Sequence, residues 1–194
     1  MKEHITNALT EARTCLDNFL GDEMAIANIE KAASIMINSI KSQGKIFSCG
    51  NGGSMCDAMH FAEELSGRYR DSRRGLPAIS ISDASHLTCV ANDFGYDEVF
   101  ARYLQAHGHA NDTLLAISTS GTSRNVVKAA EYARENNINV IALTGKQNST
   151  LGKLANIEIA TPESDYADRS QEIHIKIIHI FMELIERDMF PENY

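Results

Sequence analysis

The chain has 194 residues, 43% apolar and 23% charged, which is enough for one domain with a substantial core. Its formal net charge of −8 excludes an extended nucleic-acid surface but leaves room for a local phosphate pocket. No apolar run is long enough to span a bilayer, and the first residues mix acids with polar groups where a signal peptide would be apolar, so a cytoplasmic protein is expected.

In chain order, the first forty-odd residues predict two helices. Leu9, Cys15, Leu16, Phe19 and Leu20 give the first an apolar face. Ile26, Ile29, Ala33, Met36, Ile37 and Ile40 recur at steps of three and four in the second. Gly21 separates the two helices and Gly44 ends the second. Residues 1–43 therefore read as a helical extension used in oligomerisation, with extra core as the alternative use. Short apolar runs follow, each leading into a loop: "KIFSCG", "PAISIS", "TLLAIS", "NVIALTG" and "IEIAT". Helical patterns over Ser54–Ser66, Asp97–Ala106 and Arg124–Asn136 fall between most of them. This alternation predicts an α/β domain, a five-stranded parallel sheet flanked by helices, over 1–194. A long helix from Ala167 to Met189 closes the chain, with Ile173, Ile177, Ile180, Phe181, Leu184 and Ile185 as its apolar stripe. Cys15, Cys49, Cys56 and Cys89 show no CxxC spacing, so reduced and mostly buried thiols are expected.

Ligands of open parallel sheets bind beyond the carboxyl ends of the strands. After the first strand comes "GNGGS", Gly50 to Ser54, whose glycines allow close backbone approach and whose Asn51 and Ser54 offer hydrogen bonds. A plain strand-to-helix turn would use the same glycines. After the third strand comes "STSGTS", Ser118 to Ser123, five hydroxyls in six residues at a helix N-terminus. Capping needs one hydroxyl, and the excess points to a phosphate cradle. No Gly-Lys-Ser/Thr follows, which disfavours a nucleotide. Asn92 and Asp93 suit sugar hydroxyls or an Asx turn equally. His60 and Glu64 lie one helical turn apart. The final helix offers Gln171, Glu172, His174 and His179 as partners. His179 sits in an apolar segment, as a core histidine, an acid or a ligand would.

The combination "SCGNGGSxCDAMHFAEEL", "LPAIxISD", "ANDFGY", "LLxISTSGxSxNVxKA", "VIALTGK" and "YADRxQEIHIKIIHI" closely resembles the phosphoheptose isomerases of the sugar-isomerase (SIS) fold. The resemblance covers nearly the whole chain. It implies a homotetramer and the isomerisation of sedoheptulose 7-phosphate, the step that begins ADP-heptose synthesis for lipopolysaccharide. By the same resemblance, Asn51, Gly52, Gly53, Ser54, Asn92, Asp93, Ser118, Thr119, Ser120, Ser123 and Gln171 correspond to substrate contacts, as does Glu64. Glu64 and His179 correspond to the catalytic base and acid. His60, Glu64, Gln171 and His179 correspond to ligands of one zinc ion per subunit.

A non-enzymatic SIS protein that binds a replication-initiator-type partner is the rival reading. Such relatives lack the carboxylate and imidazole that Glu64 and His179 supply, so the enzyme is favoured. A sugar-phosphate-sensing regulator would be expected to carry a DNA-binding domain before this region. One geometric expectation remains. Gln171 and His179 lie about 12 Å apart along a straight helix, so both reach one metal only if their side chains lean together or if different subunits supply them; the long apolar final helix favours a site at a subunit interface. Its sharpest form takes Glu64 and His179 from different subunits.

Overall fold

The computed structural model describes residues 1–194. Two long helices, α1 (Lys2–Leu20) and α2 (Glu23–Lys41), precede the first strand. Asp22 separates them by accepting from the amides of Met24 and Ala25, which caps α2. Then follow β1 (Ile46–Cys49), α3 (Gly53–Ser66), β2 (Ala78–Ser80), α4 (Ala84–Phe94), α5 (Val99–His107), β3 (Thr113–Ser118), α6 (Arg124–Glu135), β4 (Asn139–Thr144), β5 (Ile157–Ala160) and α7 (Ala167–Met189).

The five strands pair in parallel in the order β2-β1-β3-β4-β5. Alternate side chains along each strand enter opposite layers. Ile46, Leu115, Ile117, Ile141, Leu143 and Ile159 pack with α2, α3 and α7. Phe47, Cys49, Leu114, Ala116, Val140 and Ala142 pack with α4, α5 and α6. The chain leaves β1 for one face through α3 and leaves the neighbouring β3 for the other through α6. The loops after β1 and β3 thus flank a crevice at the point where the winding reverses, which is where such sheets bind ligands.

The strands and the bounds of α7 match the sequence expectations, and several details differ. β2 is half-buried, since it is an edge strand covered on one side only. Ile180 is 41% exposed, and Ile178 and Met182 take the core positions expected of Ile180 and Leu184. The helix α4 was not among the expected ones. It is capped by Asp83, whose side chain accepts from the His86 amide. The helix expected at Asp97–Ala106 is shorter and later: a 3-10 turn over Tyr96–Glu98 leads into α5. All four thiols are free, and Cys56 and Cys89 are exposed, where burial was expected.

The two N-terminal helices are not equivalent. The apolar face of α2 is core, with Ile29, Ala33, Met36, Ile37 and Ile40 buried. On α1 only Phe19 is buried, while Leu9 and Leu20 are 68% and 69% exposed. Of the segment 1–43, α1 joins the core only through Phe19, Cys15 and Leu16 near its end.

Candidate active site

The helices α3 and α7 run side by side in the same direction, and this register builds the site. At the start of α3, the Gln171 side-chain amide lies so close to Gly53 that a Cβ there would come within 2.8 Å of it. Two turns on, His60 Nε2 faces His179 Nε2 at 3.1 Å. Beyond the end of α3, the Tyr69 amide donates to Glu186. The pairs 53/171, 60/179 and 69/186 advance together, as parallel helices require.

His60 is oriented by its other nitrogen. Its Nδ1 lies 3.1 Å from the Glu63 carboxylate, which leaves a lone pair on Nε2 when the ring is neutral. Glu64 Oε1 lies 3.9 Å from the same Nε2. The ring of Tyr69 stacks on His179 at 6.0 Å, and His60 meets His179 edge-on at 5.3 Å. Tyr69 is itself held by the segment that follows α3. The Arg73 guanidinium, buried with the Glu186 carboxylate, bonds it at 2.7 Å and donates to the carbonyls of Glu64, Leu65 and Gly67. Burial, and then the neighbouring Glu63 charge, raise the pKa of Glu64 above the ordinary carboxylate value. Burial, and then the charge of His60, lower that of His179. On the same helix as His60, burial pushes the Asp57 carboxyl up to about 6, and its Oδ2 has no partner.

The hydroxyl loop lies across the crevice. Ser118 Oγ donates to Ser123 Oγ at 3.0 Å, and Ser120 Oγ accepts from the amide and hydroxyl of Thr122 at 3.2 Å. Ser123 occupies the cap position of α6 but makes no capping bond with its side chain. The backbone N–H groups of Ser123, Arg124 and Asn125 donate to nothing within the chain. They add donors and the positive end of the helix dipole to the loop. Gly121 turns the loop at φ +64, pressed so closely on Ser149 that a Cβ would overlap it. The cations nearby are engaged elsewhere: Arg124 pairs with Asp97, and Lys128 with Glu98. The cradle thus offers hydroxyls and amides.

Thus α3 and α7 bring His60, Glu64 and His179 together within one chain. Gln171 points at the glycine loop, two turns from His179. Asn92 and Asp93 occupy the last turn of α4, in place of a loop, with Asn92 Nδ2 donating to Asp93 Oδ1 at 2.8 Å. Glu63, Tyr69 and Arg73 were not legible in the sequence. Glu63 had one available signal, the i,i+3 spacing from His60.

A match to the SIS domain family spans residues 10–145. A phosphoheptose isomerase of Enterobacter sp. (strain 638) is 58% identical over 185 residues, covering 95% of this chain and 96% of the relative. The chain belongs to the phosphoheptose isomerase family. Another member, from Aeromonas salmonicida, is 56% identical over 188 residues, covering 97% and 98% of the two chains. The solved structure of a phosphoheptose isomerase from Neisseria gonorrhoeae superposes with a TM-score of 0.88 at 34% identity, covering 95% of this chain and 98% of that one. The chain is accordingly a sugar-phosphate isomerase, and the crevice between the β1 and β3 loops is where its fold binds ligands.

Proposed function

We propose that the enzyme converts D-sedoheptulose 7-phosphate to D-glycero-D-manno-heptose 7-phosphate through an enediol, as the first step of ADP-heptose synthesis for lipopolysaccharide. The observation that carries this reading is the meeting of His60 and Glu64, on the helix that opens at the glycine loop, with His179 of α7. Ketose-to-aldose exchange needs a base that takes a proton from C1 and returns it to C2, and a group that moves a proton between O1 and O2. Glu64, with its raised pKa, is the base. His179, whose pKa burial and then the charge of His60 lower, takes a proton from one oxygen and gives it to the other. The substrate phosphate lies on Ser118, Thr119, Ser120, Ser123 and the amides that open α6. Asn51, Gly52, Gly53 and Ser54, with Gln171 behind them, carry the sugar, and Asn92 and Asp93 reach its hydroxyls.

The donor set fits a divalent cation. Two imidazole Nε2 atoms aim at one point beside a carboxylate, and a second carboxylate orients one imidazole from behind. His60, Glu64 and His179 would hold one zinc ion per subunit, and Gln171, which in this chain points at the glycine loop two turns from His179, would complete the set from a second subunit. Bound there, zinc would act as a Lewis acid toward the carbonyl and its adjacent hydroxyl. The enzyme works in the cytoplasm as a homotetramer, and the exposed Ile5, Leu9 and Leu20 of α1 supply an apolar face for that association.

Incubating the purified protein with sedoheptulose 7-phosphate and following the sugar by NMR tests the reading. Appearance of the aldose 7-phosphate supports it. Absence of conversion, with and without added zinc, overturns it.

A further inference from the structure

The side chains of Asn51 and Asn125 form a reciprocal amide pair across the crevice. Asn51 Nδ2 donates to Asn125 Oδ1 and Asn125 Nδ2 donates to Asn51 Oδ1, both at 2.9 Å. A neighbouring donor fixes which atom is which. The Val126 amide points at Asn125 Oδ1 at 3.0 Å, where an amide nitrogen could not accept. The NH2 of Asn125 therefore turns to Asn51, whose oxygen must meet it. That same oxygen accepts from the Tyr96 hydroxyl at 3.0 Å. Three segments thus converge on one carboxamide: the loop after β1, the turn that follows α4, and the first turn of α6.

Asn125 is only 2% exposed, so water cannot replace a lost partner there. Asn51 spends its oxygen and one amide hydrogen on these bonds, and one N–H is left for the crevice. We propose that Asn125 is a positioning residue: through its pair with Asn51 it fixes the first turn of α6, whose amides complete the phosphate site, against the glycine loop that carries the sugar. Tyr96 anchors the same oxygen from the rim, where it is 53% exposed. This inference rests on the sugar-phosphate reading of the crevice. The two segments bind parts of the substrate that do not react. A drift in their spacing weakens ground state and transition state alike, which raises KM and spares kcat. A local role in capping α6 would instead lower Tm and leave KM alone.

The test is a double-mutant cycle of Asn51→Ala and Asn125→Ala. KM, kcat and Tm are measured for each variant, together with the Kd of inorganic phosphate by calorimetry. Asn125→Ala is expected to raise KM and the phosphate Kd about tenfold, the scale of an orphaned buried hydrogen bond, with kcat within about threefold. The double variant is expected to bind no worse than the weaker single variant, because either change breaks the same pair. Multiplying effects, or a fall in Tm with KM and phosphate affinity unchanged, would overturn the proposal. Should Asn125→Ala fail to fold, Tyr96→Phe decides, because it removes one exposed hydroxyl. A rise in KM of about threefold at constant Tm supports the proposal, and no change in KM or phosphate Kd overturns it. Failure of the parent enzyme to turn over sedoheptulose 7-phosphate would defeat the functional reading alone. Coupling in the phosphate affinities would then still decide the role of Asn125.

Discussion

His60 and His179, 119 positions apart in sequence, bring Nε2 to within 3.1 Å of Nε2 inside a single chain. Because Glu64 shares a helix with His60, the proposed base and acid are taken from one chain. Glu64→Gln and His179→Gln should each lower kcat by about a hundredfold or more with the fold intact. Mixing the two inactive variants under confirmed subunit exchange should restore nothing. Recovered activity would mean that base and acid meet across subunits.

The proposed zinc site on the same pair makes activity metal-dependent. Chelation should depress activity and zinc should restore it, with elemental analysis reading the loss and return of metal. Glu63→Gln should weaken zinc affinity by about tenfold or more, because the carboxylate behind His60 Nδ1 sustains its ligand character. Full activity in a preparation shown to be metal-free would refute an obligatory ion.

The hydroxyl loop makes the phosphate a binding handle. Ser120→Ala should raise KM several-fold with little change in kcat, and unphosphorylated sedoheptulose should bind far more weakly. Gly121→Ala should be worse than Ser120→Ala, since a Cβ there collides with Ser149 and φ is +64. Steady-state kinetics on the two variants checks the order. Equal binding of the two sugars would contradict the cradle.

His174 links stability to pH. It is fully buried on α7, bonds the Thr144 carbonyl through Nε2, and leaves Nδ1 without a partner. Burial pushes its pKa from 6.5 down to about 4. Below 6.5 the unfolded chain takes up a proton that the folded chain refuses. Its contribution to stability is therefore complete above that value and drains away as the pH falls toward 4. The loss is on the order of 3 kcal/mol. Chemical denaturation at pH 7.5 and 4.5 should show a smaller drop for His174→Leu than for the parent. Equal drops would mean that His174 titrates normally in the fold.

Much of the architecture was legible because it is local. Buried strands announce themselves as short runs such as "TLLAIS", and the three-and-four spacing of α2 and α7 shows their inner faces. The hydroxyl loop stood out by its excess over what a cap needs. The helix α4 was missed because "ASHLTCVANDF" buries only Val90 and so carries a weak stripe, although Asp83 followed by Ser85 and His86 held a cap signal. Asn92 and Asp93 looked like loop residues for the same reason. The exposure of α1 was equally hidden, since Leu9, Cys15, Leu16 and Leu20 are spaced as a core face would be.

By itself the sequence determined the five parallel strands, the helices between most of them, the two loops at the strand ends and, through long shared motifs, the family. Only the tertiary structure decided that His60 meets His179, that Gln171 lies against Gly53, and that Asn51 is paired with Asn125. Local periodicity says which side of a helix turns inward, because that depends on residues a few positions apart. Which helix it then faces, and in what register, depends on how both layers bury their apolar faces on one twisted sheet. That balance is struck among residues 74 to 119 positions apart, and no short stretch of sequence carries it.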